Sequence, residues 1–288
     1  MFHGSDDPRE DQAEADLRAC YLAAGFTEVS FMAEPEAAAI ASGALDQSGE
    51  TGLIVDIGGG TSDFSVFRAR DGEVEILANH GIRIGGTDFD HDISFAQVMP
   101  LLGKGSLLRD VMGSGTKPAP NAIYNDLATW EKIPFLYTAQ NRKMVADMVR
   151  QAEEAEKLGR LAEVLEDELG HEIAFGVEQG KISANKGLVD AAIPLDGISH
   201  GLKAPLSGIA LSKLLSPYDT ALRVAAQDTV KRAGLRYAQV DKVIYVGGSS
   251  LMSVVASAMK AEFPDATHSF SEVFTAVTDG LALAAGRA

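Results

Sequence analysis

Cysteine is nearly absent: Cys20 is the only one in 288 residues. That excludes a disulfide framework and any zinc site built on thiolates, and it suits a reducing compartment, so the expected location is cytoplasmic. Histidine is sparse as well, six residues scattered without the spacing of metal ligands. Basic side chains are outnumbered, 25 Lys and Arg against 41 Asp and Glu, for a formal net charge of -16. A chain this acidic repels a phosphate backbone or an anionic bilayer, so neither nucleic acid nor membrane is an expected partner. Uninterrupted apolar runs fall well short of the roughly 20 residues of a membrane helix. The first residues are polar and acidic, unlike the basic start and apolar core of a signal peptide.

Two common nucleotide motifs are missing too. Gly103-Lys104-Gly105-Ser106 hints at a Walker A loop, but Val98 stands where the leading glycine belongs, and Gly105 follows the lysine in place of Ser or Thr. Nor does a GxGxxG turn follow any strand candidate.

Hydrophobic residues make up 46% of the chain, enough for an ordinary core. Residues 8–24 read as a helix capped by Asp7, with Pro8 in its first turn and Leu17, Cys20, Tyr21 and Ala24 on one face. Residues 29–32 read as a short strand, followed by Glu34-Pro35 and an Ala-rich helix ended by Gly43. Three strands are expected at 53–57, 63–69 and 73–80, the last two joined by the tight turn Arg70-Asp71-Gly72. Gly85-Gly86-Thr87 then opens a helix reaching Val98. Glycines and prolines at 103–120 mark a loop or insertion, 124–169 is helical and charged, and 187–206 reads as β-rich. A helix at 209–233, a strand at 242–246, the turn Gly247-Gly248 and helices at 251–263 and 274–285 complete an α/β layer pattern. Trp130 and the tyrosines read as packing or insertion-surface residues.

The most informative stretch is Leu53 to Asp63. Apolar residues carry Asp56 to the end of a buried strand, and Gly58-Gly59-Gly60 turns the chain with no Cβ in the way. Bare glycine amides approach phosphate oxygens closely. Thr61 adds a hydroxyl, and Asp63 starts the returning strand opposite Asp56. Two carboxylates beside a phosphate cradle match hydrated Mg²⁺, which keeps several waters and takes one or two carboxylates.

Asp56-Ile57-Gly58-Gly59-Gly60-Thr61-Ser62-Asp63-Phe64 resembles the second phosphate motif of the DnaK-type heat-shock 70 chaperones, in the actin and sugar-kinase superfamily. Glu34-Pro35-Glu36-Ala37-Ala38-Ala39 and Ile84-Gly85-Gly86-Thr87-Asp88-Phe89-Asp90 are similar to the elements that flank that motif. Val177-Glu178-Gln179-Gly180-Lys181 and Asp241-Lys242-Val243-Ile244-Tyr245-Val246-Gly247-Gly248-Ser249 are similar to the family's two adenosine elements. The wording near 26–36, Lys181-Ile182-Ser183 and Phe274-Thr275-Ala276-Val277 resemble the short YegD-like branch, which lacks a peptide-binding domain.

The resemblance implies an actin-like ATPase (ribonuclease H-like) α/β fold, with ATP or ADP and Mg²⁺ as ligands. It implies that Asp56 and Asp63 hold the waters around Mg²⁺ and that Thr61 bonds the γ-phosphate. Gly58, Gly59 and Gly60 would supply backbone donors, and Glu34, read as a strand-end acid, would orient the attacking water. Gly85 and Gly86 would approach the phosphates at a helix start, or form a simple loop-to-helix turn. Glu178 and Lys181, one turn apart, would meet ribose and adenine, or form an ordinary intrahelical ion pair. Gly247, Gly248 and Ser249 would let the backbone pass the nucleoside.

Three positions depart from the family. Leu251 and Ile182 replace cations that sandwich the base, removing about 0.5–2 kcal/mol each; Thr87 replaces a glutamate. The family's first phosphate hairpin and a first-lobe lysine lie upstream of Glu-Pro, and the 33 residues before Glu34 match neither. The expectation is therefore a fragment. Residues 1–50 are the end of the first lobe, 51–102 and 234–288 the core of the second, and 103–233 an inserted outer subdomain. Protein clients or co-chaperones would be the partners of a full-length ATPase of the stress response, and this chain alone would bind nucleotide weakly and turn over negligibly. A non-hydrolysing actin-like nucleotide sensor or a filament-forming protein is the alternative.

Overall fold

The computed structural model describes residues 8–44, 49–110, 113–270 and 274–286; Asp7, the expected cap of the first helix, lies outside them. That helix, α1 (Pro8–Ala23), forms as its composition predicts. Its apolar face is not covered: Leu17, Cys20 and Tyr21 stay exposed. The strand expected at 29–32 does not form. This segment has no ladder partner among the described residues; Arg18 donates to the Val29 carbonyl and sits 4.8 Å from the Phe31 ring. In consequence Glu34 is not a strand-end residue. It opens α2 (Glu34–Ala41), with Pro35 in the first turn, where Pro is tolerated because that amide has no helical partner.

Three strands follow, β1 (Thr51–Ile57), β2 (Ser62–Arg70) and β3 (Glu73–Ile82). Asp71 and Gly72, at φ 54 and 82, form the turn between the last two, the left-handed pair that two-residue hairpins require. Next come α3 (Gly86–Ile93), continued through Val98 by a looser π turn, and a small hairpin of β4 (Leu107–Arg109) and β5 (Thr116–Pro118). Four helices fill the middle: α4 (Asn121–Ala128), α5 (Ala139–Gln151), α6 (Ala155–Glu166) and α7 (Gly170–Asn185). The stretch expected to be β-rich is a hairpin of β6 (Ala192–Pro194) and β7 (Lys203–Pro205). The long α8 (Gly208–Arg232), β8 (Lys242–Val246), α9 (Ser253–Glu262), β9 (Thr267–Ser269) and α10 (Ala276–Ala285) complete the chain. The three-residue β9 escapes sequence reading, because Thr267, His268 and Ser269 carry no apolar pattern of their own.

Five of the strands form one mixed sheet, ordered β3-β2-β1-β8-β9, with β1 antiparallel to β2 and parallel to β8, and the two hairpins stand apart from it. The period of two in a strand sorts its side chains to opposite faces. Leu53, Val55, Ile57, Val243 and Tyr245 enter the large core shared with α3, α8 and α9. Ile54, Ile244 and Val246 enter a smaller core against α2 and α10. Each such side chain, fully buried, contributes about 1.5–3 kcal/mol, so the central strands are fixed in register. The α2–α10 contact is close enough that a Cβ on Gly280 would lie 1.9 Å from the Ala37 carbonyl oxygen. This two-sided packing sets the C-terminal ends of β1 and β8 side by side, with α2 beginning beside them.

Candidate functional site

The register pairs Asp56 with Asp63 across the β1–β2 turn. The turn closes on a hydrogen bond from the Gly58 amide to the Thr61 carbonyl, 2.9 Å. Gly59, Gly60 and Thr61 are exposed, and the Gly59 and Gly60 amides make no hydrogen bond among the described residues. A Cβ at either glycine would meet nothing within 4 Å. The turn therefore presents free donors in open space, as an anion cradle requires.

Helix α3 is bolted to this turn rather than pointed past it. The Gly86 amide donates to the Gly58 carbonyl at 2.9 Å, and Thr87 donates to the Gly59 carbonyl through both its amide (2.8 Å) and its hydroxyl (2.9 Å). The Gly85 amide donates to Asp88 Oδ2 at 2.8 Å. Contact is tight enough to demand glycine, since a Cβ on Gly85 would sit 2.3 Å from the Gly59 carbonyl oxygen and one on Gly86 would sit 2.3 Å from Ser249 Oγ. Gly85 and Gly86 thus shape and brace the cradle, and their own amides are engaged.

Burial pushes the Asp56 carboxyl up from its ordinary 3.8 to about 6, and the charges of Glu34 and Asp63 push in the same direction. Glu34 at the start of α2 and the two aspartates accordingly form one electrostatic group. Thr61 Oγ1 donates to Asp63 Oδ2 at 3.2 Å. Gly247, at φ 78, carries the β8 backbone past this group, and a Cβ there would lie 2.6 Å from the Ile57 carbonyl oxygen and 2.9 Å from Asp56 Oδ1. Among the described residues no set of three His, Cys, Asp or Glu converges closely enough to ligate an ion directly. The donor chemistry fits a hydrated dication: two partly buried carboxylates, Asp56 and Asp63, at mutual electrostatic cost, with the exposed Glu34 adding to it.

Residues from the two segments expected to meet adenosine line one cavity with the glycine turn. This cavity of about 240 Å³ is lined by Gly59, Gly86, Thr87 and Ser249 from the cradle and by Asp90, Glu178 and Lys181. Lys181 is not the intrahelical partner of Glu178. It is buried and pairs with Asp90 on α3, 2.8 Å from Oδ1 by charge contact and donating to Oδ2 at 3.0 Å. Burial still holds the Asp90 carboxyl above the ordinary carboxylate value, partly offset by Lys181. Glu178 is exposed and makes no ion pair among the described residues. Residues 248–251 wind as a short 3₁₀ turn, so the helix expected from 251 starts at Ser253. Gly248 passes close to Phe274, whose ring would lie 2.9 Å from a Cβ there.

Sequence reading missed four contributors. Asp90 has the spacing of a helix-surface acid, and only the fold reveals its buried partner. Asn185 receives the Ser253 amide at 2.8 Å and donates to the Leu251 carbonyl at 3.0 Å, tying α7 to the β8–α9 turn. Trp130 and Phe175, both partly exposed, line the cavity, a place that the reading of Trp130 as a packing or insertion-surface residue did not single out.

A family profile described as Hsp70 protein matches residues 9–98. The chain is 26% identical over 267 residues to the stromal 70 kDa heat shock-related protein of Spinacia oleracea chloroplasts, covering 91% of this chain and 36% of that protein. It is 26% identical over 250 residues to the chaperone protein DnaK of Thermus thermophilus, covering 86% and 33%. DnaK of Prochlorococcus marinus is 27% identical over 238 residues, covering 82% and 30%. The chain thus spans about a third of the length of the curated relatives it matches. The mixed α/β architecture with its mixed sheet is consistent with the actin-like ATPase fold that the motifs imply.

Proposed function

We propose that this relative of the heat-shock 70 proteins is a nucleotide-binding unit of a DnaK-like chaperone, taking ATP or ADP with Mg²⁺. The observation that carries the reading is the carboxylate group of Asp56, Asp63 and Glu34 beside the open Gly58–Gly60 turn. Burying Asp56 beside two like charges is unfavourable, and a dication with its waters, together with the phosphates it neutralises, would reverse that. Mg²⁺, when bound, would offset charge on the phosphates.

In this reading Asp56 and Asp63 hold metal-bound water. Gly59 and Gly60 donate backbone N–H to phosphate oxygens, Gly58 closes the turn, and Thr61 lends its hydroxyl to the γ-phosphate. Glu34 orients a water for attack. Gly85 and Gly86 keep the turn in shape. Glu178 faces the sugar, Lys181 sets the cavity floor through Asp90, and Gly247, Gly248 and Ser249 admit the nucleoside. The chain would divide into 1–50 as the end of a first lobe, 51–102 with 234–288 as the core of a second, and 103–233 as its outer subdomain. ATP hydrolysis, clients, co-chaperones, a cytoplasmic setting and a stress role belong to a longer protein, and the YegD-like branch is its proposed position.

Calorimetric titration of residues 1–288 with Mg·ADP and Mg·ATP tests the reading, with Asp63→Ala as the control and phosphate release measured in parallel. The expected result is weak binding lost in Asp63→Ala and negligible turnover. Absence of any Mg²⁺-dependent nucleotide binding would overturn it. The exposed aliphatic Ile182 and Leu251, where the family carries cations, favour a second reading as a non-hydrolysing sensor. That version survives only if a longer protein binds ATP without releasing phosphate.

A further inference from the structure

Phe64, Phe67, Phe89, Tyr124, Tyr245 and Phe263 are each 2% exposed or less, whereas several other rings, Phe26, Phe135 and Phe274 among them, lie largely exposed. Trp130 and Phe175, at 40% and 60% exposed, are the aromatics that line the cavity beside the glycine turn among the described residues. They are neither loose nor scattered. Their rings meet edge to face with centroids 5.5 Å apart, and the His171 ring braces Trp130 from another side at 4.7 Å. Both line the cavity that also holds Gly59, Ser249 and Lys181, and the residues next to them in its wall, Ala128 and Ala174, are small. The result is a rigid aromatic wall with open space in front of it, in the same hollow as the phosphate turn. Exposed, fixed aromatic faces in a concave site are ligand-contacting surfaces.

The nucleotide reading leaves one part of its ligand without a holder. Phosphate has the Gly58–Gly60 turn and the sugar has Glu178, but the base has no planar group at 182 or 251. Ile182 and Leu251 offer neither a flat π face nor a guanidinium. Resting on that reading, we infer that Trp130 and Phe175 form the base-stacking wall of this site, so that a planar nucleobase is gripped from the α4–α7 side. Stacking on an aromatic face is tolerant of base identity, because every base presents a π surface. The site thus selects for the presence of a base more than for its hydrogen-bonding edge.

Trp130 is the only tryptophan in the chain, so its emission reports on this wall alone. Emission excited on the red edge, clear of nucleotide absorbance, is followed while residues 1–288 are titrated with Mg·ADP or with Mg·tripolyphosphate, and calorimetry runs on the same solutions. ADP is expected to quench the fluorescence in step with binding, and tripolyphosphate to bind without quenching. Phe175→Ala and Trp130→Leu are expected to weaken ADP about tenfold while leaving tripolyphosphate unchanged, and Trp130→Phe to restore most of the loss. A purely structural role would shift both ligands together, and circular dichroism separates a folding defect from a local one. If ADP binds by calorimetry with a silent tryptophan and unchanged affinity in Phe175→Ala, the aromatic wall is refuted and the nucleotide reading stands. If neither ligand binds, both fall.

Discussion

Lys181 on α7 reaches into the α3 layer to sit 2.8 Å from Asp90, the one firm ionic link between the outer helices and the helix that braces the glycine turn among the described residues. The lysine side chain is 7% exposed and the aspartate 28%, so the pair is shielded from water. Removing one partner strands a buried charge. Lys181→Ala is expected to lower unfolding free energy by about 3 kcal/mol. Lys181→Met combined with Asp90→Leu is expected to recover most of that, because two apolar side chains leave nothing uncompensated. Urea denaturation of Lys181→Met, Asp90→Leu and the variant carrying both gives the coupling. Additive losses would show that the pair is not a pair in solution.

Glycines of the site separate into two kinds, and substitution should tell them apart. Gly247 needs its positive φ and has the Ile57 carbonyl and Asp56 in the space a Cβ would take. Gly247→Ala is expected to cost about 1–3 kcal/mol of stability from strain and overlap. Gly60 stands at the other extreme, with nothing within 4 Å of its would-be Cβ. Gly60→Ala is expected to change stability by less than about 0.5 kcal/mol, yet to weaken nucleotide binding by screening the amide. Thermal melts and calorimetry on the two variants check the contrast. A Gly60→Ala protein that binds normally would argue against phosphate contact at the turn.

Much of this was legible in the sequence, for identifiable reasons. The run 53–57 is apolar at every position but Asp56, so its burial on both faces and its central place could be read directly. Asp71-Gly72 specifies its hairpin through φ alone. The pairing of Asp56 with Asp63 follows from a turn of fixed length between two strands. What could not be read depends on contacts between residues far apart in the chain. Lys181 lies 91 positions from Asp90, so local spacing offered only Glu178 as its partner. Residues 29–32 have strand-like composition, but they make no ladder hydrogen bonds among the described residues, and without those that composition is not enough. Trp130 reads as a packing or insertion-surface residue because nothing local distinguishes a ring that faces a core or solvent from one that faces a cavity.

Asn185 carries a role that its position near a helix end conceals. Its amide spans from the Leu251 carbonyl to the Ser253 amide, holding the turn after β8 against α7. Asn185→Ala is expected to cost about 1 kcal/mol, the net worth of solvent-accessible hydrogen bonds whose freed backbone groups water can satisfy. Asn185→Asp keeps the acceptor for Ser253 and loses only the donor to Leu251, so its loss should be smaller. Amide hydrogen exchange at Ser253 distinguishes the two variants, since only the alanine variant should lose protection there. Equal exchange in both would place the anchor elsewhere.

Asp56 gives the site a pH signature of definite sign. Its carboxyl is raised from 3.8 to about 6 by burial and by the charges of Glu34 and Asp63, so the folded chain holds this proton more tightly than the unfolded chain does. Between those two values the native state binds more protons, and stability therefore falls as pH rises through the window. Above the folded pKa the contribution is level and unfavourable. The shift corresponds to about 2 kcal/mol once partial exposure is allowed for. Asp56→Asn is expected to remove that slope, so that the variant equals the parent at about pH 4 and exceeds it above pH 6. In the proposed reading Mg²⁺ binds the ionised form, so added Mg²⁺ is expected to stabilise the parent at neutral pH, less at acid pH, and the Asn variant hardly at all. Chemical denaturation across this range, with and without the ion, measures both effects. Parallel stability curves for the parent and the Asn variant would show that Asp56 titrates normally and would remove the electrostatic argument for a cation there.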